Sequence, residues 1–84
     1  MKKIIFKDNF AFVYLNQNFY KEEAIVQTLK TYKDFFQSSS TKLGKYFIIK
    51  IQKINDDFSL EELANEFLNY LLSVEYELKG SGEE

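Results

Sequence analysis

Three groups of residues carry side chains that could do chemistry. Asp56, Asp57, Glu61 and Glu62 crowd four carboxylates into one short stretch, and such a cluster can ligate a divalent cation. A calcium loop, however, needs oxygen ligands at alternating positions around a glycine and a closing glutamate, and this spacing does not match one. Glu62 already has a structural task, since it stands three residues after Ser59 in the arrangement of a helix capping box. The run Ser38-Ser39-Ser40-Thr41-Lys42-Leu43-Gly44, followed by Lys45, has the residue types of a phosphate cradle. It lacks the first glycine of a P-loop and leads into a strand pattern instead of a helix, so that reading fails. The six tyrosines could donate protons only with help. Their ordinary pKa is near 10, and the chain has no His or Cys to act beside them.

That subtraction is the strongest functional statement in the sequence. Without His there is no neutral-pH proton carrier and no imidazole ligand, and without Cys there is no thiolate chemistry or disulfide framework. We therefore expect a protein that is not an enzyme and holds neither metal nor cofactor. The formal net charge of -2 argues against general nucleic-acid affinity, which depends on clustered cations. All eleven basic residues are Lys, and Arg is the better bidentate contact to phosphate. With 84 residues and 45% hydrophobic content, the chain suits one ordered domain, expected over residues 1–79, with a loose tail over 80–84. The apolar run after Met1-Lys2-Lys3 ends at Lys7-Asp8, too soon for a signal peptide, and no stretch is long enough to span a membrane. The cytoplasm is the expected location.

The elements that must position these groups follow from periodicity. Lys2 to Lys7 alternates like a half-buried strand, and Asp8-Asn9 supplies a tight turn in which Asn tolerates positive φ. A second strand runs from Phe10 to Leu15, completing a hairpin. From about Tyr20, the residues Ala24, Ile25, Thr28, Leu29, Tyr32, Phe35 and Phe36 recur at helical spacing, with Asn18 as candidate N-cap and an end expected before Ser38. Ser38 to Gly44 reads as an exposed loop. Tyr46 to Lys53 is rich in β-branched and aromatic residues and forms the third strand. Ser59 and Glu62 fit a capping box, and Phe58 and Leu63 fit a hydrophobic staple, so the second helix starts at Ser59. Its buried stripe is Leu60, Leu63, Ala64, Phe67, Leu68, Leu71 and Val74, and Lys79-Gly80 is the expected stop. The order predicted is ββαβα, an α+β fold with a three-stranded sheet ordered 2-1-3 and both helices on one face. The crossover rule makes the second and third strands parallel.

Alternation then sorts the strand residues between the two faces of the sheet. Ile4, Phe6, Ala11, Val13, Leu15, Phe47, Ile49 and Ile51 go beneath the helices. Ile5, Phe12, Tyr14, Tyr46 and Ile48 remain on the outer face, bordered by Lys3, Lys7, Lys45 and Lys50. A contiguous apolar patch of this kind on a monomer marks an interface, with a partner protein or with a second copy in a homodimer. Rings interleaved with lysines also match, in physical terms, a platform for single-stranded RNA, although the net acidity and the lack of Arg speak against nucleic acid.

Two stretches carry a family resemblance. Leu15-Asn16-Gln17-Asn18-Phe19-Tyr20-Lys21-Glu22-Glu23-Ala24-Ile25 joins a strand end to a helix that begins with an aromatic, a basic residue and Glu-Ala-Ile. Leu60-Glu61-Glu62-Leu63-Ala64-Asn65-Glu66-Phe67-Leu68-Asn69-Tyr70-Leu71-Leu72 has a Glu-Phe-x-Asn-x-Leu-Leu core. Together they resemble the HxsD-like family, small partner proteins of His-Xaa-Ser peptide-maturation systems, over most of the chain from Phe10 to Leu72. The resemblance implies a non-catalytic accessory that binds a radical SAM peptide-modifying enzyme, its precursor peptide, or both. It also singles out Glu66 and Asn69, polar groups three apart at the edge of the second helix. The alternatives are a homo-oligomeric module without an enzyme partner and, behind it, the RNA-binding domain.

Overall fold

The computed structural model describes the backbone of residues 3–83 and the side chains of residues 3–78. Lys2, where the first strand is predicted to begin, and Glu84 of the predicted tail lie outside the described residues. The chain runs β1 (Lys3–Lys7), β2 (Phe10–Asn16), α1 (Glu22–Thr31), β3 (Phe36–Leu43), β4 (Tyr46–Lys53) and α2 (Leu60–Glu83). This is an α+β fold with a four-stranded antiparallel sheet in the order β1-β2-β4-β3.

Two sequence expectations about the sheet are overturned together. The polar run from Ser38 to Gly44 is not a loop, because β3 takes up residues 36–43 and pairs along its whole length with β4. This added strand reverses the direction of Tyr46–Lys53, which becomes antiparallel to β2 and its immediate neighbour. The sheet therefore has four strands and not three in the order 2-1-3, and β1 stands at an edge instead of the centre. The crossover from β2 through α1 is present, but it leads to β3, with β4 inserted between the two parallel strands.

Three features hold so polar a strand in place. Gly44 and Lys45 form a two-residue hairpin loop, and Gly44 adopts φ 59°, a left-handed conformation that glycine takes without steric cost. Phe36 anchors the other end, almost fully buried, with its ring stacked on Tyr32 at 5.8 Å and edge-on to Phe67 at 6.3 Å. Gln17, just past β2, donates from its backbone N–H to the Lys45 carbonyl at 2.8 Å and from Nε2 to the Gly44 carbonyl at 3.0 Å. At the β1–β2 turn the residue with positive φ is Asp8, at 56°, and not Asn9. The turn places its left-handed residue first, as the Gly44 turn does, and Asp is among the few side chains that tolerate it.

Both helices contribute to one core beneath the sheet. Ala11, Val13 and Leu15 of β2 and Phe47, Ile49 and Ile51 of β4 meet Ala24 and Ile25 of α1 and Leu63, Phe67, Leu68 and Leu71 of α2. Each fully buried Leu, Ile or Phe contributes about 1.5–3 kcal/mol by leaving water. α2 packs across β2 and β4 and against α1. Phe6 points to the same side but is 47% exposed, contrary to its expected place under the helices, because β1 lies at the edge beyond their cover.

The two helices begin differently from each other. α2 starts with the predicted capping box: the Glu62 N–H donates to Ser59 Oγ at 3.0 Å, and the Ser59 N–H donates to Glu62 Oε1 at 2.9 Å. It continues to Glu83, past the expected stop at Lys79-Gly80. α1 has Lys21 at its N-cap and not Asn18, with no side-chain cap from its own segment. Asn18 instead sits in a turn where its N–H donates to Asn16 Oδ1. α1 ends at Thr31, well short of the predicted boundary, since Phe35 belongs to a turn and Phe36 to β3.

Candidate functional site

Strand pairing assembles the outer face residue by residue. Phe12 of β2 lies opposite Ile5 on one side and Lys50 on the other, while Tyr14 lies between Lys3 and Ile48. Tyr46 closes the far end, edge-on to Tyr14 with ring centroids 6.1 Å apart. Phe12, Tyr14, Tyr46 and Ile48 are thus brought together on one face of the two central strands. Phe12, Tyr14 and Ile48 are half-buried by their neighbours, and Tyr46 is exposed. Phe10, which the sequence reading left out of this group, joins it at 6.2 Å from Phe12, with Lys50 Nζ 4.2 Å from its ring centroid. Lys3 Nζ sits 5.6 Å from the centroid of Tyr14. β3 widens the same face with Ser39, Thr41 and Leu43, which pair with Lys50, Ile48 and Tyr46.

The acids are kept off the sheet, while the lysines are shared between the strands and the rest of the fold. Among the described residues no strand contains an Asp or Glu, whereas the strands carry Lys3, Lys7, Lys42, Lys50 and Lys53. Lys3, Lys7 and Lys50 fall on the outer face. The described acids lie in helices, turns and loops, so a chain that is acidic as a whole presents a basic, aromatic sheet face. Lysine stems can lie along this apolar surface with their ammonium groups in water.

Glu66 belongs to a separate place, a cleft of about 610 Å³ between the end of α1 and the first turns of α2. Tyr32, Phe35, Phe58 and Leu63 supply apolar wall, and Glu62 and Glu66 supply carboxylates. Burial, followed by the charges of Glu66 and Tyr70 and the pull of the Glu66 carboxylate on its proton, holds the Tyr32 hydroxyl above the usual tyrosine range. Asn69 is exposed and does not line this cleft, so the structure separates the two α2 positions that the family resemblance pairs. Asn65, one residue before Glu66, is the amide that lines it.

Two members of the acidic run near α2 have structural tasks. Glu62 caps the helix, and Asp56 Oδ1 meets Lys53 Nζ at 3.2 Å. Among the described residues no group of three or more His, Cys, Asp or Glu is arranged to hold a metal ion. No described helix is long and apolar enough to cross a membrane. No family model matches this chain, and neither a curated protein nor a solved structure matches it.

Proposed function

We propose that this chain is a non-catalytic binding protein whose outer sheet face docks an acidic surface of a partner protein. One observation carries the reading: four rings and two isoleucines stand contiguously on that face, flanked by Lys3, Lys7 and Lys50 with no acid in any described strand. Aromatic residues are the usual anchors of interfaces, and a rim of one charge sign steers a partner of the other. A face-to-face homodimer fits this surface less well, since a second copy of the face would bring lysines and no acid to meet the lysines of the first. The resemblance over residues 10–72 supports a narrower form of the proposal, in which the partner is a radical SAM peptide-modifying enzyme or its precursor peptide. A second reading, single-stranded RNA, is favoured by Lys50 over the Phe10 ring and by the Tyr14–Tyr46 pair.

The test is the double substitution Phe12→Asp with Ile48→Asp, because neither side chain belongs to the core under the helices. Binding to a His-Xaa-Ser maturase and its peptide, followed by light scattering, should be lost while circular dichroism is unchanged. An unfolded variant would mean that the two faces are assigned the wrong way round. A folded variant with undiminished binding would move the contact to α2 at Glu66 and Asn69. Binding of an RNA oligomer that weakens steeply with salt would select the second reading.

A further inference from the structure

Glu75 is the one charged side chain buried among the described residues, at 5% exposure. Its Oε2 accepts a hydrogen bond from the backbone N–H of Lys21, at the start of α1. Its Oε1 has no partner among the described residues. A carboxylate in this position has lost most of its hydration and regained one neutral donor, and a buried charge is retained at low cost only with a counter-charge and its lone pairs engaged. No salt bridge supplies that charge among the described residues.

Glu75 also forms part of the wall of a pocket of about 260 Å³ between the β2–α1 connection and the second half of α2. The rest of the wall is Phe19, Tyr20, Leu72 and Tyr76, three aromatic rings and a leucine. Phe19 and Tyr76 are 60% and 79% exposed, an uncommon exposure for large rings that serve only packing. An exposed ring of this kind changes rotamer on the ps–ns timescale and can admit a ligand toward the carboxylate. Next to Lys21, Glu22 and Glu23 occupy the first turn of α1, and among the described residues Glu22 pairs with Lys42 at 3.4 Å while Glu23 has no ion-pair partner.

We propose that this pocket is a receptor for an alkylammonium group, with Glu75 as counter-ion and the rings of Phe19, Tyr20 and Tyr76 as a cation–π rim. The chemistry required is a compact cation on an aliphatic stem, because the carboxylate needs a donor of opposite charge while the rings and Leu72 need apolar contact. A lysine side chain presented by a peptide and a free small amine share that chemistry. The site is on the helical side of the molecule and is independent of the outer sheet face.

The probes are n-butylammonium and a capped Gly-Lys-Gly peptide with its lysine free or acetylated. Backbone NMR of the full chain, read at Lys21, Glu22 and Tyr76, should show saturable shifts with the ammonium probes and none with the acetylated peptide. Tighter binding of the peptide than of n-butylammonium identifies a peptide-borne lysine as the ligand, and the reverse order identifies a free amine. Glu75→Gln keeps an acceptor for the Lys21 N–H and removes the charge, and it should weaken binding about tenfold or more. Tyr76→Ala changes only an exposed ring, so it tests the rim even if the Gln variant does not fold. The proposal is overturned if no ammonium probe gives saturable shifts, or if affinity is unchanged in both variants.

Discussion

The starts of the two helices solve one problem with the same residue type at very different ranges. In α2 the N–H of the N-cap residue, Ser59, donates to Glu62, three residues ahead on the same helix. In α1 the N–H of the N-cap residue, Lys21, donates to Glu75, 54 residues away on the other helix. Both carboxylates also sit at the positive end of a helix dipole, where a negative charge is favoured. The second half of the box exists only in α2, because Ser59 returns a bond to the Glu62 N–H and Lys21 has no side-chain oxygen to offer. α2 can therefore define its own beginning, whereas α1 begins where α2 permits. A short helix of ten residues is marginal alone in water, so this dependence matters for its order.

The largest effect that would separate the two helices should come from Glu75→Ala. It removes the one side-chain acceptor bonded to the start of α1 among the described residues, and the part-buried Lys21 N–H left without it should cost about 1–3 kcal/mol in chemical denaturation. Hydrogen exchange should speed up at Ile25 and Thr28 in α1 more than in the first turn of α2. Equal acceleration in both helices would show that Glu75 supports the core generally and is not a distant cap.

Ser59→Ala makes the converse cut. Loss of an N-cap side chain costs on the order of 1 kcal/mol, a sizeable share of the stability of so small a domain. Exchange should rise at Glu62 and Leu63 and leave α1 unchanged. A stability change indistinguishable from zero would mean that the backbone enters α2 without help from its cap.

The same contrast of range explains what could be read from the sequence. The α2 start was legible because Phe58, Ser59, Glu62 and Leu63 encode it within six residues. The central strands were legible because β2 and β4 alternate between core and outer face, and this alternation set Phe12, Tyr14, Tyr46 and Ile48 on one side. β3 was not legible, since a strand exposed on both faces after Phe36 has no alternation to display, and its pairing is imposed by the Gly44 hairpin. Missing β3 misplaced β1 at the sheet centre, and with it Phe6 beneath the helices. The true cap of α1 left no local trace either, because the position of Glu75 in a helical pattern says nothing about Lys21. Of the two α2 residues that the resemblance singles out, Glu66 alone reaches the cleft, where Tyr32 and Phe35 come from the turn after α1 that the longer predicted helix hid.

The smallest expected effect concerns the other end of α1, where Tyr32 rests against α2. Its ring is edge-on to Tyr70 at 5.6 Å, and its hydroxyl is held above the ordinary value of 10.0 by burial and by the negative charge of Glu66. The sign follows from linkage. The folded chain keeps this proton more tightly than the unfolded chain, so the hydroxyl's contribution is complete below about pH 10 and is lost as pH rises through the folded value. Tyr32 is partly exposed, and solvent screening keeps the contribution small. Urea denaturation of the wild type and of Tyr32→Phe should therefore show a small gap at pH 8 that narrows above about pH 10, because the Phe variant has no proton to lose there. A gap indistinguishable from zero from pH 8 to about pH 11 would mean that Tyr32 holds α1 on α2 by the packing of its ring alone, which the Phe variant keeps. Its hydroxyl would then play no part, and the polar contacts between the helices would be the Lys21 N–H to Glu75 at one end and the Thr31 hydroxyl to the Tyr70 hydroxyl, at 3.5 Å, at the other.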